Sequence, residues 1–398
     1  MTFEATAIVR EKTEQAVEIL KEKDVDLWIT FVRETSHVKD PVIDLILGFD
    51  LTWTSALMIH QSGARVAIVG RYDVPNVERL GAYDRVIGYD AAFQQPLIAE
   101  IETLRPRRIA VNYSESDPAA DGLTYGMFRV LSRTLAATPY ADHLVSAEGI
   151  VAALRGRKTA SEIQLIKIAV ERTEEVLAQL HSFIRPGVAD TEVSGFLHSF
   201  LTENSYGASW DWDYCPVVTV GPDSAVGHAM PSGLRIKPGN LVQIDFGISR
   251  YGFVSDLQRT WYVRSAGETV IPEAVQRAWD ATTVALEAGR ATLKPGVRGW
   301  EVDAAARQAL VDAGYPEYMH AFGHHVGRTA HDGATVLGPR WERYGNAVEG
   351  VVEEGNVFAI ELGATVPGRG YIGREENVVI TANGAEYLSH LQEHLWIV

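Results

Sequence analysis

A chain of 398 residues is long enough for two domains. Its 46% apolar and 22% charged residues can fill large cores. With 36 basic against 52 acidic side chains the formal charge is −16, which excludes a surface built to grip phosphate backbones and favours solubility. Cys215 is the only cysteine, so no intrachain disulfide forms, as in a reducing compartment. The start, Met1-Thr2-Phe3-Glu4, lacks a basic patch followed by an apolar run. No stretch approaches the roughly 20 apolar residues a membrane span needs. A cytoplasmic protein with neither nucleic-acid nor membrane partners is expected.

The first 150 or so residues alternate helical and strand patterns, as an α/β domain does. Glu14 to Lys23 reads as an amphipathic helix and Leu27 to Phe31 as a buried strand. Leu57-Met58-Ile59 and Val66-Ala67-Ile68-Val69 flank Ser62-Gly63 as a hairpin, and Arg108 to Val111 reads as another strand. No site chemistry is visible in this part. A boundary is expected near Leu154 to Lys158, giving domains 1–152 and 153–398. After it, Thr159-Ala160-Ser161-Glu162 has the form of a capping box. It opens a long helix with Ile163, Ile166, Val170, Leu177 and Leu180 on one face.

The second half repeats itself. Ile184-Arg185-Pro186-Gly187-Val188, followed by Glu192-Val193, returns 109 residues later as Leu293-Lys294-Pro295-Gly296-Val297, followed by Glu301-Val302. Gly239-Asn240-Leu241 leads into Ile244-Asp245-Phe246-Gly247, and Gly355-Asn356-Val357 leads into Ile360-Glu361-Leu362-Gly363. Each copy reads helix, Pro-Gly turn, helix, strand hairpin. Two such α+β halves are expected to pack about a pseudo-twofold axis with their sheets joined.

The hairpins bring acids together. A turn centred on Arg250-Tyr251 puts Asp245 opposite Asp256, and one centred on Gly368-Arg369 puts Glu361 opposite Glu376, with Cβ atoms about 5 Å apart. Like charges directly opposite destabilise a sheet unless a cation sits between them or one stays protonated. Val242, Ile244 and Phe246 project to one face, so Gln243 and Asp245 project to the other, which becomes the floor of a site. Four histidines lie between His320 and His331, and either His324 or His325 can supply a neutral imidazole. Four carboxylates and one imidazole suit two divalent ions, Mn²⁺ first and Co²⁺ or Zn²⁺ otherwise.

From about Arg155 to Val398 these motifs resemble the pita-bread metallopeptidases, family M24, the family of methionine aminopeptidase, aminopeptidase P and prolidase. The most specific element is the order Asp, ten residues, Asp, then His, Glu and Glu. It lies in Ile244-Asp245-Phe246-Gly247, Gly323-His324 and Arg374-Glu375-Glu376-Asn377. The N-terminal part resembles the creatinase/prolidase N-domain, which points to the Xaa-Pro branch and a bacterial Xaa-Pro dipeptidase. The resemblance implies a pita-bread catalytic domain with Asp245, Asp256, His324, Glu361 and Glu376 as metal ligands; His325 does not hold the ligand position. It implies two catalytic histidines, His331 that steadies the scissile carbonyl and His228 that also contacts substrate. It makes His320 a further pocket histidine and Arg374 the arginine of the second motif, both substrate-binding. Glu361-Leu362-Gly363-Ala364-Thr365 departs from the family, whose Xaa-Pro members have Glu-Pro-Gly and then a tyrosine where Thr365 stands. Trp210, Trp212 and Tyr214 are candidate pocket walls.

The expected activity is hydrolysis of Xaa-Pro dipeptides by a water activated between two metal ions. Glu361 moves the proton, and a homodimer is the expected assembly. The rivals are an Xaa-Pro aminopeptidase acting on longer peptides, a metal-free amidinohydrolase of the creatinase type, and a non-catalytic peptide-binding module.

Overall fold

The computed structural model describes residues 3–227 and 230–398. It divides into two compact units, Met1–Arg155 and Gly156–Val398. No helix among the described residues is long and apolar enough to cross a membrane.

The first unit is a mixed sheet between helices. Its strands are β1 (Leu27–Val32), β2 (Ser55–His60), β3 (Arg65–Gly70), β4 (Arg85–Tyr89), β5 (Ile109–Val111) and β6 (Leu144–Ser146), ordered β4-β3-β2-β1-β5-β6. The hairpin read around Ser62-Gly63 is β2–β3, with Gly63 at φ +99. The helix read over 14–23 runs Phe3–Glu22. Two apolar layers, one around Trp28 and Ile43 and one around Phe31 and Leu97, cover the sheet's faces.

In the second unit the capping box forms as read. The Glu162 N–H donates to Thr159 Oγ1 at 3.3 Å and Glu162 Oε2 accepts from the Thr159 N–H at 2.9 Å, opening the helix Ala160–Leu180. The duplication is literal. Helices Asp190–Glu203 and Gly299–Asp312 have 14 residues each. The preceding Gly187 and Gly296 both have φ +93. Asn240 and Asn356 each accept the N–H three residues upstream, at 2.9 and 2.8 Å.

The strands here are β7 (Gly207–Ala208), β8 (Val217–Val220), β9 (Leu241–Phe246), β10 (Ile248–Arg250), β11 (Phe253–Val254), β12 (Leu257–Tyr262), β13 (Gly323–His325), β14 (Val336–Leu337), β15 (Val357–Val366), β16 (Gly370–Thr381), β17 (Gly384–Tyr387) and β18 (Trp396–Ile397). The main sheet runs β14-β13-β15-β16-β12-β9-β8. The two halves join where Gln258 of β12 pairs with Glu375 of β16. Ile360, Leu362, Val378 and Ile380 pack beneath β15 and β16 against the helices Glu273–Thr292 and Gly299–Asp312.

Both hairpins depart from the expected register. The first turns on Tyr251-Gly252, with Arg250 opposite Phe253. Both central residues have positive φ, +53 and +76, the conformation of a tight two-residue turn that matches strand twist. Asp245 therefore faces Gln258, and Asp256 lies diagonally, two residues back and on the same face. The second hairpin closes with Val366 opposite Gly370, so its loop holds three residues, Pro367-Gly368-Arg369. Glu361 then faces Glu375, and Glu376 faces Ile360. A slip of one residue turns every side chain over, so Glu376 belongs to the far face.

The capping box is a local contribution to the second unit. Thr159→Ala should lower its stability by about 1 kcal/mol, the ordinary value of such a cap, measured by chemical denaturation.

Candidate metal centre

The register builds the site as a row across the sheet. Val217, Asp245, Gln258, Glu375 and Glu361 occupy successive positions on β8, β9, β12, β16 and β15. Their side chains therefore share one face. Asp256 and His324 lie in the next row. Asp256 precedes β12, and the buried Asn377 side chain extends the ladder to it. Asn377 Oδ1 accepts the Asp256 N–H at 3.0 Å, and its amide donates to the Asp256 carbonyl at 2.9 Å.

His324 Nε2 stands 3.8 Å from Asp256 Oδ2 and 3.9 Å from Glu375 Oε1. One ligand atom from each of these three residues lies within 4.8 Å of the others. His324 Nδ1 lies 2.9 Å from the Ala330 carbonyl. A carbonyl only accepts, so Nδ1 carries the proton and Nε2 offers its lone pair to the acids. The loop supplying that carbonyl is fixed by a buried ion pair, Lys158 Nζ to Asp332 Oδ2 at 3.1 Å.

Burial pushes all four acids up, and their mutual repulsion pushes three further. Asp245 rises to about 7 through burial. Glu361 rises to about 8 through burial and then the charge of Asp245. Asp256 and Glu375 stand well above the ordinary carboxylate range for the same reasons. Asp245 Oδ1 and Glu375 Oε2 are buried without a hydrogen-bond partner. Buried polar atoms ordinarily have partners, and crowded carboxylates with unspent lone pairs are a donor set for hard or borderline divalent ions. Asp245, Asp256, His324, Glu361 and Glu375 fit such ions.

Glu376, the ligand expected from the sequence, is corrected to Glu375. Its carboxylate is buried on the far face, where it accepts from Arg259 at 3.1 and 3.2 Å and from Ser389 Oγ at 2.6 Å. Arg374 is corrected as well. It shares that far face, where its guanidinium covers the Trp279 ring at 4.2 Å and donates to Thr283 and to the Gln392 carbonyl. It does not line the site. Alternation carries the signal that separates 375 from 376: Ile372, Val378 and Ile380 are core residues, so even positions of β16 point inward.

The site opens into a cavity of about 560 Å³ that His320, His324, His325 and His331 line together with Trp210. The His331 ring meets His324 edge-on at 4.4 Å. His325 is buried and packs on Phe358. Trp212 and Tyr214 are exposed and outside the lining, Trp212 stacking on His198 at 4.2 Å. His228 lies outside the described residues.

Three wall residues, Gln258, Tyr318 and Tyr371, were not foreseen. Gln258 donates to Glu361 Oε2 at 2.8 Å and accepts from Gln243 at 2.9 Å, which aims the Glu361 carboxylate. The Tyr318 hydroxyl reaches Glu361 Oε2 at 3.5 Å. Tyr371 sits directly opposite Thr365, and its hydroxyl lies near Tyr318. Gly363 clears its path, since a Cβ there would collide with the Tyr371 hydroxyl. The tyrosine missing at 365 thus has a counterpart on the partner strand, which spacing along one strand does not reveal.

The model of metallopeptidase family M24 matches residues 164–382, more than half of the chain, and the match includes Asp245, Asp256, His324, Glu361 and Glu375. The chain belongs to metallopeptidase family M24. It is 31% identical over 255 residues to a Xaa-Pro dipeptidase of Pyrococcus furiosus, covering 62% of this chain and 67% of that one. A Lactobacillus delbrueckii Xaa-Pro dipeptidase is 28% identical over 279 residues, 70% of this chain and 71% of that one. Among solved structures, a Xaa-Pro dipeptidase from Bacillus anthracis superposes with a TM-score of 0.74 at 25% identity, over 98% of this chain and 100% of that one. An X-Pro aminopeptidase from Thermotoga maritima shares the fold, with a TM-score of 0.71 at 23% identity over 97% and 99% of the two chains. The M24 chain is thus a metallopeptidase with an α/β N-terminal domain and a pita-bread C-terminal domain.

The two glutamates should behave oppositely. Glu375→Gln should abolish metal retention and activity with the fold kept. Glu376→Gln should keep metal stoichiometry but lower stability, because Arg259 loses its nearest carboxylate and keeps Glu174 at 3.6 Å. Metal analysis and denaturation of both variants check this. The raised acids also impose a pH dependence. Each acid binds its proton more tightly folded than unfolded, so the stability these acids contribute is full below about pH 4 and is lost as pH rises through about 7–8. Chelated protein should therefore melt lower at pH 8.5 than at pH 5.5, and added Mn²⁺ should raise the melting temperature most at the higher pH.

Proposed function

We propose that this chain hydrolyses the Xaa-Pro bond of peptides with the help of two divalent metal ions, Mn²⁺ before Co²⁺ or Zn²⁺. The observation that carries the reading is the single row Asp245, Gln258, Glu375 and Glu361, with Asp256 and His324 beside it. A module that only bound peptides would gain nothing from four buried acids with unspent lone pairs. The relatives, named as Xaa-Pro dipeptidases, supply the proline preference.

Two ions held by Asp245, Asp256, His324, Glu361 and Glu375 would supply Lewis acidity and lower the pKa of a water toward neutrality. Glu361 takes the proton of the attacking water at Oε2, where Gln258 and Tyr318 orient it, and passes it to the leaving nitrogen. Proline nitrogen leaves as a secondary amine and needs that proton. His331, on the cavity wall and edge-on to His324, donates to the carbonyl oxygen as negative charge develops. His320 and His228 are assigned to substrate contact. The cytoplasm is the proposed compartment, given a reading without disulfides, and a homodimer the proposed assembly.

Metal analysis of the purified chain should give close to two divalent ions per chain, and full activity in a metal-free preparation would overturn the reading. Asp256→Asn should abolish turnover while the circular dichroism spectrum stays unchanged. His331→Ala should lower kcat by about 10²–10³-fold with metal content retained, because an oxyanion contact acts mainly in the transition state. Metal lost in step with rate would make His331 a ligand instead.

A further inference from the structure

The segment that opens the second unit, Gly156-Arg157-Lys158, carries none of the chemistry described so far, yet it is fastened to the loop that bears His331. The Lys158 N–H donates to the Gly355 carbonyl at 2.9 Å, and Arg157 pairs with Glu353, Nε to Oε2 at 3.0 Å. The Lys158 side chain is 1% exposed, and its Nζ lies 3.1 Å from Oδ2 of Asp332, itself 3% exposed. The same Oδ2 accepts the Arg328 N–H at 2.9 Å, and the Asp332 N–H donates to the His325 carbonyl at 3.0 Å. Thr329-Ala330-His331 is held between these contacts, with Thr329 Oγ1 donating to the His331 carbonyl at 2.8 Å. A Cβ at Gly327 would fall 1.9 Å from Asp332 Oδ2 and 2.5 Å from Lys158 Cε, so only glycine lets the chain pass over the pair.

Stability alone does not call for ions here. Taking two charges out of water offsets much of what their attraction returns, and apolar side chains of similar size often serve as well. What the carboxylate adds is direction. With an ammonium and an N–H on one oxygen, Asp332 is fixed in place, and its backbone with it. Two groups of the loop meet the metal ligand His324: the Ala330 carbonyl, 2.9 Å from its Nδ1, and the His331 ring, edge-on at 4.4 Å. His331 also lines the cavity, and it is the chain neighbour of Asp332, so the anchor acts one residue from the imidazole. A donor to developing charge has its full effect only when it is already in place, and a displacement of about 1 Å costs about a hundredfold in rate.

We propose that Lys158 is a positioning residue of the reaction, which through Asp332 holds His331 where the substrate carbonyl is attacked. The proposal rests on the hydrolase reading above and on the role of His331 within it. The test is a cycle of Lys158→Met with His331→Ala, assayed on an Xaa-Pro peptide at saturating Mn²⁺, with bound metal measured on each sample. Lys158→Met should lower kcat about tenfold or more with KM within about twofold, and should change kcat by less than about twofold once His331 is alanine. In the metal-free chain the same substitution should speed hydrogen exchange about tenfold or more across residues 326–332, while β9 and β12 keep their protection. Should Lys158→Met fail to fold, Lys158→Met combined with Asp332→Asn removes both charges of the pair and takes its place, with the same results expected. An equal loss of kcat in both backgrounds makes Lys158 a support of the fold alone, and unchanged kcat or unchanged exchange means that His331 needs no such anchor. Each of these overturns the proposal and leaves the hydrolase reading standing. No cleavage by the unaltered, metal-loaded chain overturns both.

Discussion

Four carboxylates crowd one face of the main sheet, and their repulsion is what the surrounding structure must accommodate. Asp245 and Glu361 stand at the two sides of a row that Gln258 and Glu375 complete, with Asp256 one row over. Like charges at this spacing oppose folding, and burial removes the water that would screen them. Protons relieve the strain only by silencing the ligands, whereas divalent ions relieve it and keep them. The fold therefore couples its own stability to the groups that do the chemistry.

The sheet's other face has its own charges and keeps them separate. Glu376 and Arg374 alternate with Glu375 along the same strand, yet both are held from behind, by Arg259 and Ser389 and by Trp279 and Thr283. Arg259 also lies 3.6 Å from Glu174, so the charge behind the sheet is shared among several partners. That arrangement pins β16 and holds Glu375 against the charge of its neighbours. The amide pair of Gln243 and Gln258 does the equivalent for Glu361 from within the site. Neutral groups suit this place, because their hydrogen bonds orient the Glu361 carboxylate without adding charge beside it.

Duplication explains why so much of this architecture is visible from residue patterns. The Pro-Gly turns, the Asn caps and the helix lengths recur in both halves because each half solves the same local problem. The halves differ where they serve the site. The first hairpin closes through two residues of positive φ and the second through a three-residue loop, so the acids of each meet in a different geometry.

By itself the sequence determined the two-unit organisation, the duplicated α+β plan, the face of β9 that carries Asp245, and the presence of Asp256, His324 and Glu361 among the site residues. The first three come from spacing and periodicity, which act within a few residues, whereas the site residues rest on the family resemblance, which alone chose His324 over His325. Tertiary structure decided that Glu375 and not Glu376 joins them, that Arg374 leaves the site, and that Tyr371 reaches Glu361's surroundings across the ladder. Those outcomes hang on the register of one hairpin, and a strand's side chains alternate with a period of two. One residue more or less in the loop reverses which of two adjacent glutamates faces the site, and only the packing of Ile372, Val378 and Ile380 beneath the sheet selects between them.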